Sequence, residues 1–138
     1  MATINLTIVT PEGPIYEGEV DELYVPGVDG EIGVKPVHTA LMEMIQPGEL
    51  RIVVGGKEQY LAVGEGFAEI LQAEVNVMTE GAIDAGEIDE AETQKAIERA
   101  QAALNDESLD DEAADEAKLM LARSIAMLNV KKKRRSGL

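Results

Sequence analysis

From Ile4 to about Thr79 the apolar positions recur mostly at every second residue, the period of half-buried strands. "INLTIVT" puts Ile4, Leu6 and Ile8 on one face, and "EVDELYV" changes phase between Val20 and Leu23, where a bulge fits. "ELRIVVGGKEQYLAV" is the clearest hairpin signal. Leu50, Ile52 and Val54 share a face, Gly55-Gly56 supply positive-φ turn positions, and Gln59 to Val63 return. "GFAEILQAEVNVMTE" predicts a further hairpin pivoting at Gln72-Ala73-Glu74. Eight or more strands fit into this part, enough for two packed sheets.

After Gly86 the period changes. Asp89 with Glu92 three residues on resembles a capping box with aspartate as the cap, opening a helix over "EAETQKAIERAQAAL". Ile97, Ala100 and Leu104 form its apolar face, joined by Ala96 and Ala103. "NDESLDD" interrupts the pattern and offers Ser108 and Asp110 as caps. Ala114, Ala117, Leu121, Ile125 and Leu128 then follow three-four spacing to about Val130. The connection is short, so the helices are antiparallel neighbours, with alanines letting their axes approach. All five prolines lie at or before Pro47, and twelve of thirteen glycines at or before Gly86, which reinforces the division. The expected architecture is α+β: an N-terminal antiparallel β-sandwich over residues 1–86, then a C-terminal antiparallel two-helix hairpin over 87–138. Isolated helices of this length are marginal in water, so the hairpin must lean on the sandwich or on a partner.

Composition narrows the function. The 138 residues support one good core. With no cysteine there is no disulfide framework, thiolate nucleophile or cysteine-type zinc site. One Phe, three Tyr and no Trp make a poor stacking platform for single-stranded nucleic acid. The net charge of −15 is uneven: −12 over residues 1–84, −8 over 85–130, and +5 in the tail "KKKRR". Such an acidic body repels phosphates, disfavouring nucleic acid or anionic membrane as the main partner. The start lacks a signal-peptide pattern and no stretch is long enough for a membrane span, so the expectation is a cytoplasmic chain that meets a membrane only through a complex.

"YVPGVDGEIGVKPVHTAL" carries the candidate chemistry, with Gly27, Gly30 and Gly33 at three-residue spacing and the single histidine, His38. A phosphate loop needs a lysine and a hydroxyl that are missing here, and a dinucleotide fingerprint needs a following helix. Asp29 and Glu31 would repel phosphate. Turn glycines flanked by the stiffening Pro26 and Pro36 are the better reading. His38 has no evident nucleophile or metal-ligand set around it, so a local hydrogen-bonding role outweighs catalysis. Met42 and Met44 read as core filling, and "NDESLDDEAADE" as a solvated helix entry. The tail continues the basic character of Lys118 and Arg123, and fits a solvated end, a nucleic-acid arm or a clasp for an acidic protein surface.

"VPGVDGEIGVKPVHTALMEMIQPGELRI", with "INLTIVTPEGPIYEGEV" before it and "VGEGFAEILQAEVNVMTEGA" and "IDEAE" after it, resembles the epsilon subunit of bacterial and chloroplast F-type ATP synthases. The resemblance runs in order from about residue 3 to 130. It implies a non-catalytic rotor subunit at the foot of the central stalk, on the cytoplasmic face of an energy-transducing membrane. The sandwich would dock on the gamma subunit and the c-ring, with Gly30, Glu31 and His38 at the c-ring-facing edge. The hairpin would restrain ATP hydrolysis when extended toward the alpha and beta subunits, with Lys118, Arg123, Lys131, Lys132, Lys133, Arg134 and Arg135 as candidates for an acidic motif of beta. Some members bind ATP through a motif Ile/Leu-Asp-x-x-Arg-Ala. Here Ile88 and Asp89 remain, but Glu92 and Thr93 stand in the last two places, so the motif is degenerate and no nucleotide, metal or other cofactor is expected. The rival readings are a free-standing nucleotide- or ligand-binding β-sandwich using Asp89 and Arg123, and an enzyme built on His38.

Overall fold

The computed structural model describes residues 2–36 and 39–135, apart from the Arg135 side chain. Ten strands come first: β1 (Ile4–Thr10), β2 (Gly13–Val20), β3 (Glu22–Gly27), β4 (Gly30–Val34), β5 (Leu41–Ile45), β6 (Gly48–Val54), β7 (Lys57–Val63), β8 (Gly66–Ile70), β9 (Glu74–Thr79) and β10 (Ala82–Asp84). A single 3-10 turn (Ala85–Glu87) leads to α1 (Glu90–Leu104) and α2 (Asp111–Arg135). The strands form one hydrogen-bonded path, β10-β7-β6-β3-β5-β8-β9-β1-β2, with β4 added to β3. The path folds over itself as a sandwich, and the inward residues of both layers share one core. The α+β architecture agrees with the sequence reading.

The period-2 pattern explains the core. Ile4, Leu6 and Ile8 of β1 are fully buried, as are Leu50 and Ile52 of β6 and Val75 and Val77 of β9. Each such side chain removed from water contributes roughly 1.5–3 kcal/mol. Val54, expected on the same face, lies beyond the core edge and is exposed. Gly55 and Gly56 take φ of 58° and 77°, the left-handed pair that a two-residue hairpin between β6 and β7 requires. The β8–β9 hairpin turns at 71–73, closed by the Leu71 amide donating to the Glu74 carbonyl at 2.8 Å.

Two local readings change. The phase shift after Val20 is not a bulge. At Asp21 the chain leaves β2, which pairs with β1, and enters β3, which pairs with β4 and β6. Asp21 is pinned there, its amide donating to the Val53 carbonyl at 2.8 Å and its carboxylate accepting from the Gly55 amide at 2.7 Å. The irregularity in β1–β2 falls instead between Ile8 and Val9. The second change is that β1 and β9 pair in parallel among otherwise antiparallel neighbours. They are not joined by a hairpin, and the direction of β9 is set by its turn from β8.

Both helices start as their caps predict. The Asp89 side chain accepts from the Glu92 amide at 2.9 Å, and Asp110, rather than Ser108, accepts from the Ala113 amide at 2.8 Å. Serine 108 instead closes a small loop with Asp106, whose carboxyl is held below its ordinary range chiefly by the Ser108 hydroxyl. α2 runs past Val130 to Arg135, because cations are favoured at a helix C-terminus. It packs on two surfaces. Ala117, Ser124 and Leu128 are buried along one stripe with the half-buried Leu121, while Arg123, Ala126, Met127 and Val130 line the side toward the sandwich. Ile125 falls outside that arc and is exposed, contrary to the pattern reading.

Candidate functional site

The β3–β4 connection is a two-residue turn, Val28-Asp29, between Gly27 and Gly30. A β carbon on Gly27 would lie 2.7 Å from the Gly30 carbonyl oxygen, and Gly30 has φ of 124°, so both positions demand glycine. The turn is tied to β5, the Val28 amide donating to the Met44 carbonyl at 3.0 Å and the Gln46 amide to the Pro26 carbonyl at 2.9 Å. Glu31 is exposed at the start of β4. Gly33 is not a turn glycine. It is a strand residue opposite Tyr24. His38 lies outside the described residues, so its relation to Glu31 is left to the sequence reading.

Beside this turn the outer sheet face carries an apolar row. Met44 pairs with Phe67, Phe67 with Met78, and Met78 with Val9, across β5, β8, β9 and β1. Met44 is 55% exposed, Met78 47% and Phe67 46%, so Met44 is not the core filler its spacing suggested. Met42 on the same strand is exposed too. The chain has a single phenylalanine and spends it on the outside. Contiguous exposed apolar surface of this kind is a candidate contact face.

The second feature is how α2 meets the sandwich. The apolar contact is small: Ala62, Ala85, Ile88 and Val130 are buried together, with Tyr60, Ile83 and Met127 at the margin. Two charged forks flank it. Arg123 Nε donates to Glu65 Oε1 at 2.9 Å while its Nη2 takes the other carboxylate oxygen. Arg134 Nε donates to Glu49 Oε2 at 2.8 Å, its Nη2 takes Oε1, and its guanidinium carbon lies 3.5 Å from the Tyr60 ring centroid. Lys133 Nζ adds a looser contact to Glu49 at 3.8 Å, and Lys131 Nζ donates to the Ala85 carbonyl at 3.4 Å. The Arg123 fork holds the Glu65 carboxyl below its ordinary range and pushes the guanidinium up, with partial burial opposing both. Bidentate pairing of this type fixes geometry as well as adding energy.

Of the basic candidates, Arg123, Lys131, Lys133 and Arg134 thus meet acidic or carbonyl groups of this chain's own sandwich. Lys118 and Lys132 are exposed, and Arg135 ends α2 with its side chain outside the described residues. The residues of the degenerate nucleotide motif have structural work. Ile88 is buried under α2, Asp89 caps α1, and Thr93 is buried with its hydroxyl donating to the Asp89 carbonyl at 2.7 Å. Glu92 faces Arg99 at 3.6 Å. A groove of about 300 Å³ between β7, β10 and α2 has Arg123 as the only cation among the described residues of its lining, already forked on Glu65, and Glu80 beside it. An anion would find little there. Among the described residues no metal-ligating cluster gathers and no helix is long and apolar enough to cross a membrane.

Pattern reading missed Glu49, Glu65 and Tyr60, because their partners lie far along the chain. The apolar row was detectable in principle, since Met44, Phe67 and Met78 sit at the outward phase of their strands.

The family model for the ATP synthase delta/epsilon chain β-sandwich domain matches residues 3–85. The chain belongs to the ATP synthase epsilon chain family. An ATP synthase epsilon chain of Dehalococcoides mccartyi (strain BAV1) is 38% identical over 135 residues, covering 98% of this chain and 96% of that one. The epsilon chain of Shouchella clausii is 36% identical over 132 residues, 96% and 97% of the two chains. Among solved structures, a chain of the Euglena gracilis mitochondrial ATP synthase OSCP/F1/c-ring assembly superposes with a TM-score of 0.78 at 26% identity, over 92% of this chain and 80% of that one. A chain of the Tetrahymena thermophila mitochondrial ATP synthase central stalk and c-ring shares the fold, with a TM-score of 0.61 at 12% identity, over 93% of this chain and 96% of that one. As a member of the epsilon chain family, the protein is a subunit of ATP synthase.

Proposed function

We propose that this epsilon-family chain is a non-catalytic central-stalk rotor subunit that couples proton-driven rotation to ATP synthesis and regulates ATP hydrolysis through α1 and α2. In this reading the sandwich, residues 1–86, is the anchor. The row Val9, Phe67, Met44 and Met78 meets the gamma subunit, while the β3–β4 turn with Gly30, Glu31 and His38 meets the c-ring. Supporting the anchor is a contact face otherwise hard to account for, an apolar row on the outside of an acidic protein. The complex then sits peripherally on the cytoplasmic face of its membrane.

The observation that carries the regulatory part is the kind of contact beneath α2. Two buried aliphatic side chains, two alanines and two partly exposed ion-pair forks hold the hairpin down. At roughly 1.5–3 kcal/mol per large buried side chain and about 1 kcal/mol or less per exposed pair, that is several kcal/mol before ordering costs. A device that opens and closes needs such a small gap. On release, Arg123, Lys131, Lys133 and Arg134 become available to an acidic partner such as the beta subunit, joined by Lys118, Lys132 and Arg135.

The test uses the absence of native cysteine. Glu65→Cys with Arg123→Cys, bridged by a short bis-maleimide, locks the hairpin against the sandwich. ATP hydrolysis by the cognate epsilon-depleted catalytic sector is then measured with the bridged and unbridged chain, binding being checked in parallel. Inhibition by the unbridged chain alone is the expected result. Equal hydrolysis with both, while both bind, removes the regulatory role; failure of both to bind removes the anchor.

A further inference from the structure

From the Arg134 fork a row of side chains runs on across the outer face of the sandwich. In β3, β6 and β7, Tyr24 pairs with Arg51 and Arg51 with Tyr60, so the three side chains stand side by side across the sheet. The Arg51 guanidinium carbon lies 4.0 Å from the Tyr24 ring centroid, and that of Arg134 lies 3.5 Å from the Tyr60 centroid. Ring and cation therefore alternate from β3 to the last turn of α2. Carboxylates tie the members together. Glu22 accepts from the Tyr24 hydroxyl, Glu58 accepts from both Arg51 (2.7 Å) and the Tyr60 hydroxyl, and Glu49 holds Arg134. At its far end the row rests on Gly33 of the edge strand β4. A β carbon there would meet Tyr24 Cε1 at 3.0 Å and Cδ1 at 3.3 Å, so the ring covers the glycine backbone.

We propose that this row couples the β3–β4 hairpin to the docking of α2, so that displacing β4 beneath Tyr24 loosens the Arg134 clasp and undocking α2 relaxes the Tyr24 seat. The physical basis is shared partners. Arg51 is held between the Tyr24 face and Glu58, and Glu58 also fixes the hydroxyl of the ring on which Arg134 lies. A guanidinium over a ring is attracted by the ring's negative face while it stays within about 6 Å of the centroid, and more weakly as it moves off. Shifting Tyr24 moves Arg51, then Glu58, then the Tyr60 platform. The element that would move is the hairpin, whose contact with the sandwich is small, and coupling of its docking to the far end of the row would be reciprocal. Its use in the complex rests on the proposed roles of the turn and the hairpin: contact at the turn would be felt at the brake. The coupling itself needs no partner.

The experiment is therefore made on the isolated full-length chain, by amide hydrogen exchange. Arg51→Met and Gly33→Ala are expected to speed exchange over 126–134 about fivefold or more, the lower end of typical coupling, while Leu50 and Val75 amides stay protected. Tyr24→Leu does the same, and added to Arg134→Met gives no further acceleration, because the clasp it acts on is already gone. Exchange within twofold of the parent in Arg51→Met, with the core protected, overturns the proposal. So does full additivity of Tyr24→Leu and Arg134→Met. If Gly33→Ala unfolds the sandwich, Arg51→Met and the double variant decide. Failure here leaves the anchor-and-brake reading intact, and failure of the bridging test leaves this coupling intact.

Discussion

Gly66 and Met78 approach so closely that a β carbon on Gly66 would sit 1.9 Å from the Met78 carbonyl oxygen. Gly66 opens β8 and Met78 lies one residue before the end of β9, the two strands that carry half of the apolar row. Backbone cannot move aside as a side chain tip can. Gly66→Ala is expected to cost at least about 2 kcal/mol by overpacking, read as a lower denaturation midpoint with an unchanged slope.

Arg134→Ala removes a fork and a ring contact together. Each contributes up to about 1 kcal/mol at a partly exposed site, so hairpin docking should weaken about tenfold. Proteolysis at the 105–110 connection or a fluorescence distance between α2 and β6 would show it, with sandwich stability unchanged. Arg123→Ala should act in the same direction and less strongly, since it lacks a ring beneath it.

Docking should also respond to acid. The Glu65 carboxyl is lowered from its ordinary 4.5, first by the hydrogen bonds from Arg123. A depressed carboxylate contributes stability that is present above its unfolded value and lost as pH falls through its folded value. The clasp is thus complete at neutral pH and loosens below about 4.5. Exchange of α2 amides between pH 7 and 3 should show this opening, and Glu65→Gln should remove the Glu65-dependent part of it.

Met78→Lys tests the outer row. The side chain is half exposed, so stability should change by no more than about 0.5 kcal/mol, whereas affinity for the stalk should fall tenfold or more. Loss of stability matching the loss of binding would make the row structural.

The isolated chain should give no saturable heat with submillimolar ATP. Glu92 carries the wrong charge, Thr93 is buried, and Arg123 is already paired. A binding isotherm in calorimetry would reverse this.

Periodicity made most of the fold legible. Ile4-Leu6-Ile8, the Gly55-Gly56 turn and the Asp89 cap are decided within a few residues of chain, and the structure agrees at each. Where partners lie far apart, local pattern is silent. Arg123 meets Glu65 and Arg134 meets Glu49 only because the hairpin folds back, and a tail read as seeking another protein's acids first meets its own. Ile125 and Met44 failed for a related reason. Their spacing is that of core residues, but which arc of a helix or face of a sheet is covered depends on what packs there. Asp21 shows a third case, in which a change of phase marks a change of sheet partner. The roles of Gly30, Glu31 and the basic residues rest on the family, and neither periodicity nor geometry assigns them.

The parallel pairing of β1 with β9 has a consequence for how the protein is made. Residues 4–20 pair with each other locally, but residue 5 waits for residue 74 before its other edge is covered. Until then Ile4, Leu6 and Ile8 offer an apolar face and an open row of amides, the combination that recruits strands from neighbouring chains. Such long-range closure is also slow. A nascent chain interrupted before β9 is therefore an aggregation hazard rather than a smaller working domain, and the last long strand of the sandwich is the one that makes its first strand safe.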